Sequence, residues 1–307
     1  MGAVDASRAR GRRGKRKPDG LNEGELQKAD EAREADESRL IELAGDANDE
    51  EVTIYVKGFL GRNEAPKHFD AWLGGHEELV DTLAWGSSAR GYHWEAGNLR
   101  KLALPVASGA KTVWDLYRLV RHTRAVNPLA TAGWFIAEQA VGVCARFIAQ
   151  FIEARKQAEL RAHDLADEIE RLTREGRQVR VVAHSLGCRQ AIEAAAQLPE
   201  ALRPRELHLC APACLEEEIE DKLDAVAGDS AYLYYTELDQ VLEISFRAMS
   251  QGRAIGAAGL SRDYEGLVEY DVSEAFDFWV HTEYKNRFAS FLAPDDESEL
   301  AEDQETS

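Results

Sequence analysis

The stretch Val181-Val182-Ala183-His184-Ser185-Leu186-Gly187 decides how this sequence is read. A serine stands directly after a β-branched apolar run. Directly after it comes a segment with helical apolar spacing, Leu186 to Leu198, stopped by Pro199. Ala183 lies two positions before the serine and Gly187 two positions after it. A tight strand-to-helix turn exposes a serine Oγ above the end of a sheet, where bulky side chains two positions away would strike neighbouring backbone. The helix start then offers N–H groups and partial positive charge to a developing oxyanion. The short spacing alone also fits a capping serine at an ordinary turn. Its strand–turn–helix setting favours a nucleophile.

Working outward, the chain after Ser185 alternates regularly. Glu206 to Cys210, Ala231 to Thr236 and Leu267 to Val272 read as strands. Leu215 to Val226, Leu238 to Met249 and Thr282 to Leu292 read as helices, with residues 250–263 as a loop. Upstream, Val52 to Val56 is a β-branched strand bounded by Gly58 and Gly61. An amphipathic helix follows through Phe69, Trp72, Leu73, Leu79 and Val80, interrupted or not at Gly74-Gly75. Thr82 to Trp85 reads as a second short strand. Strands of near-continuous apolar character alternating with helices imply a mainly parallel sheet covered on both faces, an α/β domain spanning about 49–293.

The rest of the chain is more varied. Residues 1–20 read as a disordered basic tail, 21–48 as a polar helical lead-in and 294–307 as a disordered acidic tail. About 100–150 reads as a helical cap inserted in the domain. Leu129 to Ile152 is long and apolar enough to raise a membrane span, but Glu138 and Arg146 near its middle favour a buried or interfacial helix. A charged helix from Glu153 to Glu175 carries Leu160, Leu165, Ile169 and Leu172 as its stripe, with Gly176 placed to end it.

Charge and cysteine content narrow the function classes. The 307 residues carry a net charge of -19, against the basic surface a nucleic-acid binder needs. No apolar segment of secretory type follows the N-terminal arginines. Cys144, Cys188, Cys210 and Cys214 make no disulfide framework, and Cys210 and Cys214 lack a second pair at zinc spacing. They read as buried small apolar residues in a reducing, cytoplasmic protein.

A serine of this kind needs an acid and then a histidine, in that chain order, after later strands. Asp239 lies just beyond the strand ending at Thr236, and His281 lies beyond the last strand. His281 is expected as general base and acid, with Asp239 holding its tautomer. Glu237 competes for the acid role, and Asp271 and Asp277 also lie near the chain end. His208 comes too early and lies inside a strand, and His163 sits on a charged helix. His184 is expected to pack and hydrogen-bond, pointing away from Oγ. The oxyanion hole needs a second donor beside the Leu186 N–H. The loop Lys57-Gly58-Phe59-Leu60-Gly61 offers the N–H of Phe59. No Gly-Lys-Ser/Thr follows it, so neither a phosphate-binding loop nor any cofactor or metal is expected.

With these residues in view, the chain resembles the α/β-hydrolase superfamily, in its lipase and esterase-like branch, over about residues 50–292. Ala183 to Gly187 resembles that branch's nucleophile elbow, and Gly58-Phe59-Leu60-Gly61 its oxyanion loop. Asp239-Gln240-Val241-Leu242 and His281-Thr282-Glu283-Tyr284 are similar to the transmembrane and coiled-coil domain hydrolase-like group. Lys57 departs from the histidine common before the oxyanion glycine, and Ala183 replaces the first elbow glycine. The resemblance implies hydrolysis of a carboxylic ester or lipid through an acyl-enzyme on Ser185. An acyltransferase or thioesterase would use the same residues, and a non-catalytic binding relative would carry a broken triad. It also implies a cap shaping the acyl pocket. Trp85, Tyr92, Trp94, Trp114, Trp134 and Phe135 are its candidate lining, none of them assigned individually because aromatics at helical spacing more often pack in a core, with peripheral membrane contact if Leu129–Ile152 is exposed.

Overall fold

The apolar runs around Ile54 and Val181 lie side by side at the centre of one sheet. The computed structural model describes residues 38–46, 48–59, 69–94, 96–97, 133–224, 226–276 and 280–292, with 133–146 and 248 by backbone alone. Among the described residues the strands are β1 (Arg39–Ala44), β2 (Glu51–Val56), β3 (Ser88–His93), β4 (Gln178–His184), β5 (Glu206–Cys210), β6 (Ser230–Tyr235) and β7 (Leu267–Asp271). They pair in the order β1-β3-β2-β4-β5-β6-β7. Only β1 runs antiparallel to its neighbour; every other pairing is parallel. Side chains alternate between the two faces of a strand, and here the alternation separates two chemistries. Val52, Ile54, Val56, Val179, Val181, Leu207, Leu209 and Leu233 form one buried aliphatic set. The intervening positions carry Tyr55, Arg180, His184, His208 and Tyr234, which are also buried.

The helices are α1 (Asp70–Leu83), α2 (Gly133–Leu160), α3 (Ala162–Arg174), α4 (Leu186–Ala196), α5 (Glu220–Leu223), α6 (Arg247–Ser250), α7 (Ile255–Ala258) and α8 (Val280–Leu292), with a π-helix at Val241–Phe246. α1 and α8 pack together over the aromatic and charged face. There Trp72 stacks on Tyr55 at 5.2 Å and meets Phe288 edge-on at 5.6 Å. Gly74-Gly75 does not break α1; a Cβ at Gly75 would stand only 3.8 Å from Ala289 Cβ, ordinary contact at the crossing with α8. α3 and α4 pack on each other against the aliphatic face. Leu165, Ile169 and Leu172 of α3 are buried as the stripe requires, but Leu160 ends α2 and is exposed, while Arg171 bridges Glu168 and Glu175 along the outer face of α3.

Several expectations need correction. Arg39–Ala44 was expected inside the polar helical lead-in and is instead an edge strand. Leu, Glu and Ala favour helix locally, but antiparallel pairing with β3 puts Leu40, Ile41 and Leu43 against the core. Thr82 to Trp85 is not a strand: α1 runs to Leu83 and Ala84 closes it in the left-handed conformation. The strand comes later, at Ser88–His93. The apolar and charged helices meet at Arg161 rather than near Ile152. Helix is interrupted within 215–226 and 238–249, and α7 lies within the stretch read as loop. Among the described residues no helix is long and apolar enough to cross a membrane. Most of the expected cap, the two tails, Asp277 and Leu60 lie outside the described residues.

Candidate active site

Parallel strands bring their C-terminal ends to one edge, so chain segments far apart in sequence meet there. Ser185 follows β4 directly, with φ 55° and ψ -122°, a strained conformation for a residue bearing a Cβ. Its turn is tied down on every side. The Ser185 N–H donates to Cys210 C=O at 2.9 Å, and the Ser185 carbonyl accepts from Cys188 N–H and Ala213 N–H, both at 3.1 Å. Cys188 Sγ–H donates to the same Cys210 carbonyl at 3.4 Å. The glycine two residues on is dictated by contact, since a Cβ at Gly187 would stand 2.5 Å from Lys57 C=O.

His281 lies in the first turn of α8 and turns its ring back to the serine. Ser185 Oγ and His281 Nε2 are 3.0 Å apart, and His281 Nδ1 lies 2.7 Å from Asp239 Oδ2. A carboxylate only accepts, so Nδ1 carries the proton and Nε2 is left to accept from the serine hydroxyl. Asp239 is fully buried. Its other oxygen accepts the N–H groups of Val241 at 3.0 Å and Leu242 at 3.1 Å, which opens the π-helix and locks the carboxylate toward the histidine. The competitors are elsewhere. Glu237 points to solvent beside Arg253 at 3.4 Å, and Asp271 caps Ser273 N–H at 3.0 Å. His163 is exposed and holds Leu160 C=O, and His208 is buried in the sheet.

His184 faces away from Oγ and ties the serine turn to the histidine turn. Its Nε2–H donates to the His281 carbonyl at 2.7 Å. Burial, with His281 and Lys285 adding repulsion, holds its pKa well below the ordinary 6.5, so the ring stays neutral. Gly58 wedges against the same corner: a Cβ there would lie 2.8 Å from Ser185 Cβ and 2.9 Å from His184 C=O. The chain continues into Phe59, whose ring meets Phe147 and Phe151 of α2 edge-on, each at 5.4 Å. Phe151 in turn meets Phe246 of the π-helix at 5.9 Å. Leu186 is the first residue of α4, where amides have no intrahelical acceptor.

Of the aromatic residues considered as pocket lining, Trp85, Tyr92 and Trp94 are core residues. Trp114 lies outside the described residues, as do the side chains of Trp134 and Phe135. Phe59, Phe147, Phe151 and Phe246 form an aromatic row that continues from the Gly58 loop. Cys188, Cys210 and Cys214 are buried free thiols. Among the described residues no group of three or more His, Cys, Asp or Glu is arranged to hold a metal ion.

No family model matches the chain. No curated protein matches it either. Solved structures do align with it. A protein of Xanthomonas campestris assigned to the α/β superfamily of hydrolases is 15% identical with a TM-score of 0.32, covering 79% of this chain and 98% of its own. A type II thioesterase of yersiniabactin biosynthesis is 12% identical with a TM-score of 0.32, covering 82% and 94%. An esterase of Thermogutta terrifontis is 11% identical with a TM-score of 0.33, covering 77% and 79%. The sheet order, with one antiparallel edge strand and a serine, an acid and a histidine placed after β4, β6 and β7, is what identifies this chain as having the α/β-hydrolase fold.

Proposed function

We propose that this protein is a serine hydrolase that cleaves carboxylic esters through an acyl-enzyme on Ser185. The observation that carries the reading is the unbroken relay from Ser185 Oγ to His281 at 3.0 Å and on to buried Asp239 at 2.7 Å, with the serine held in a strained turn. In the proposed reaction Ser185 Oγ attacks the ester carbon while His281 Nε2 takes its proton. The N–H groups of Phe59 and Leu186 receive the oxyanion. Collapse expels the alkoxide, which takes the proton from His281 and leaves as the alcohol. A water then attacks the acyl-enzyme, giving its proton to His281, and the acid departs as that proton returns to Ser185 Oγ. Asp239 keeps Nδ1 protonated and stabilises the imidazolium.

An apolar acyl group suits the surroundings. Phe59, the proposed donor, carries its ring into the row formed with Phe147, Phe151 and Phe246. Ile148 and Ile152 stand exposed on the same helix as Phe147 and Phe151. This part of α2 would act as the inner wall of the cap. Rapid mixing with p-nitrophenyl esters of increasing chain length tests the reading. A burst of p-nitrophenol equal to the enzyme, lost in Ser185→Ala, is expected. A linear time course whose rate is unchanged in Ser185→Ala contradicts it.

A further inference from the structure

The proposed oxyanion loop has a glycine at its centre. Gly58 is imposed by the lack of space beside Ser185 Cβ, yet a glycine leaves the flanking peptides free to rotate. The orientation of the Phe59 N–H must therefore be imposed from outside. On the far side of Gly58 the Phe59 ring is held between Phe147 and Phe151. On the near side the Lys57 carbonyl accepts a hydrogen bond from Trp94 Nε1–H at 2.9 Å. Trp94 follows β3 directly, beside the end of β2, where Val56 pairs with Tyr92, and it is fully buried.

This bond is not a routine consequence of burying an indole. Trp72 is buried to nearly the same degree, and its Nε1 has no hydrogen-bond partner among the described residues. The Lys57 carbonyl is also the atom that the missing side chain of Gly187 lets close to the first turn of α4. One indole N–H thus anchors the peptide that precedes Gly58 and lies against the first turn of α4.

We infer that Trp94 is a positioning residue of the oxyanion hole, holding the Lys57–Gly58 peptide so that the Phe59 N–H meets the developing oxyanion. The inference rests on the proposed serine hydrolase chemistry. Trp94→Phe removes the N–H and keeps most of the ring. Complete loss of an oxyanion donor costs about 10²–10³ in kcat, so its misplacement should lower kcat on p-nitrophenyl butyrate by about 10- to 100-fold, with KM within about twofold. Affinity for a trifluoromethyl ketone, which forms a tetrahedral adduct with the serine, should fall by the same factor, while affinity for butyrate should not. Trp72→Phe, the same change at an indole without a partner, should keep wild-type kcat. If Trp94→Phe does not fold, the indole ¹⁵N–¹H resonance of Trp94 in the wild-type protein takes its place. It should shift when the serine is phosphonylated, and an unmoved resonance overturns the inference. An active wild type with Trp94→Phe kcat within twofold refutes the Trp94 role alone. An inactive wild type refutes the hydrolase reading and this inference with it.

Discussion

Two histidine–carboxylate pairs contrast in their surroundings, one beyond the strand ends and one within the sheet. His281 lies 2.7 Å from Asp239, and its second nitrogen meets a serine. His208 Nε2 lies 3.6 Å from Glu206, beyond hydrogen-bond distance, while its Nδ1 meets Tyr234 Oη at 3.0 Å. Tyr232, Trp85 and Phe288 enclose that ring, and burial, outweighing the attraction of Glu206, lowers its pKa. Burial also works to raise the Glu206 pKa, but the His208 ring and the Arg180 guanidinium bring it down to about 2. Arg180 engages Glu51 as well and lies 3.7 Å from the Trp85 ring centre. An arginine is always charged. Glu206 is thus shared between a permanent cation and a ring whose burial keeps its pKa low. Among the described residues the Asp239 carboxylate accepts from backbone N–H groups and the His281 ring.

Paired substitutions test this contrast. Asp239→Asn should lower kcat by about 10⁴, because the amide favours the wrong histidine tautomer, with little change in urea stability. Glu206→Gln should leave kcat within about twofold and lower the unfolding free energy by about 1–3 kcal/mol, since it strands part of the Arg180 charge. Similar activity losses in both variants would collapse the distinction. Steady-state kinetics and urea titration of the same preparations decide it.

The pH dependence of stability sharpens the comparison with a smaller effect. Glu206 has a folded pKa below its ordinary 4.5, so its contribution is complete above pH 4.5 and is lost as pH falls toward 2. His208 and His184 also have folded values below their ordinary 6.5. Their unfolded forms take up protons first, so stability should begin to decline as pH falls below 6.5. Urea midpoints measured from pH 8 to pH 3 should show both declines, with the lower one flattened in Glu206→Gln. A midpoint that rises as pH falls below 6.5 would contradict the burial of neutral histidines.

The site was legible in sequence where chain order mirrors strand order. Ser185, Asp239 and His281 follow strands with strong β-branched or aromatic runs, and a parallel sheet sends those ends to one edge. The loop Lys57 to Phe59, proposed to carry an oxyanion donor, was placed at that edge by the same reading, since it follows the run Val52 to Val56. The near edge was not. Ser88-Ala89-Arg90-Gly91-Tyr92-His93 lacks the composition of a strand, and its state is settled by pairing with β1 and β2. Arg39–Ala44 has helix-forming residues and becomes a strand through that same long-range contact. Misreading β3 also left Trp94 among the candidate pocket residues: the role proposed for it depends on one hydrogen bond to a residue 37 positions away, for which a single tryptophan carries no signal.

The central claim is that Ser185, rather than any other nucleophile, attacks the substrate. Wild-type protein treated with a fluorophosphonate and mapped by tandem mass spectrometry tests it most directly. A single adduct on the peptide containing Ser185, formed far more slowly in Asp239→Asn and not at all in Ser185→Ala, is predicted. An adduct on another residue, or labelling undiminished in Ser185→Ala, would contradict it.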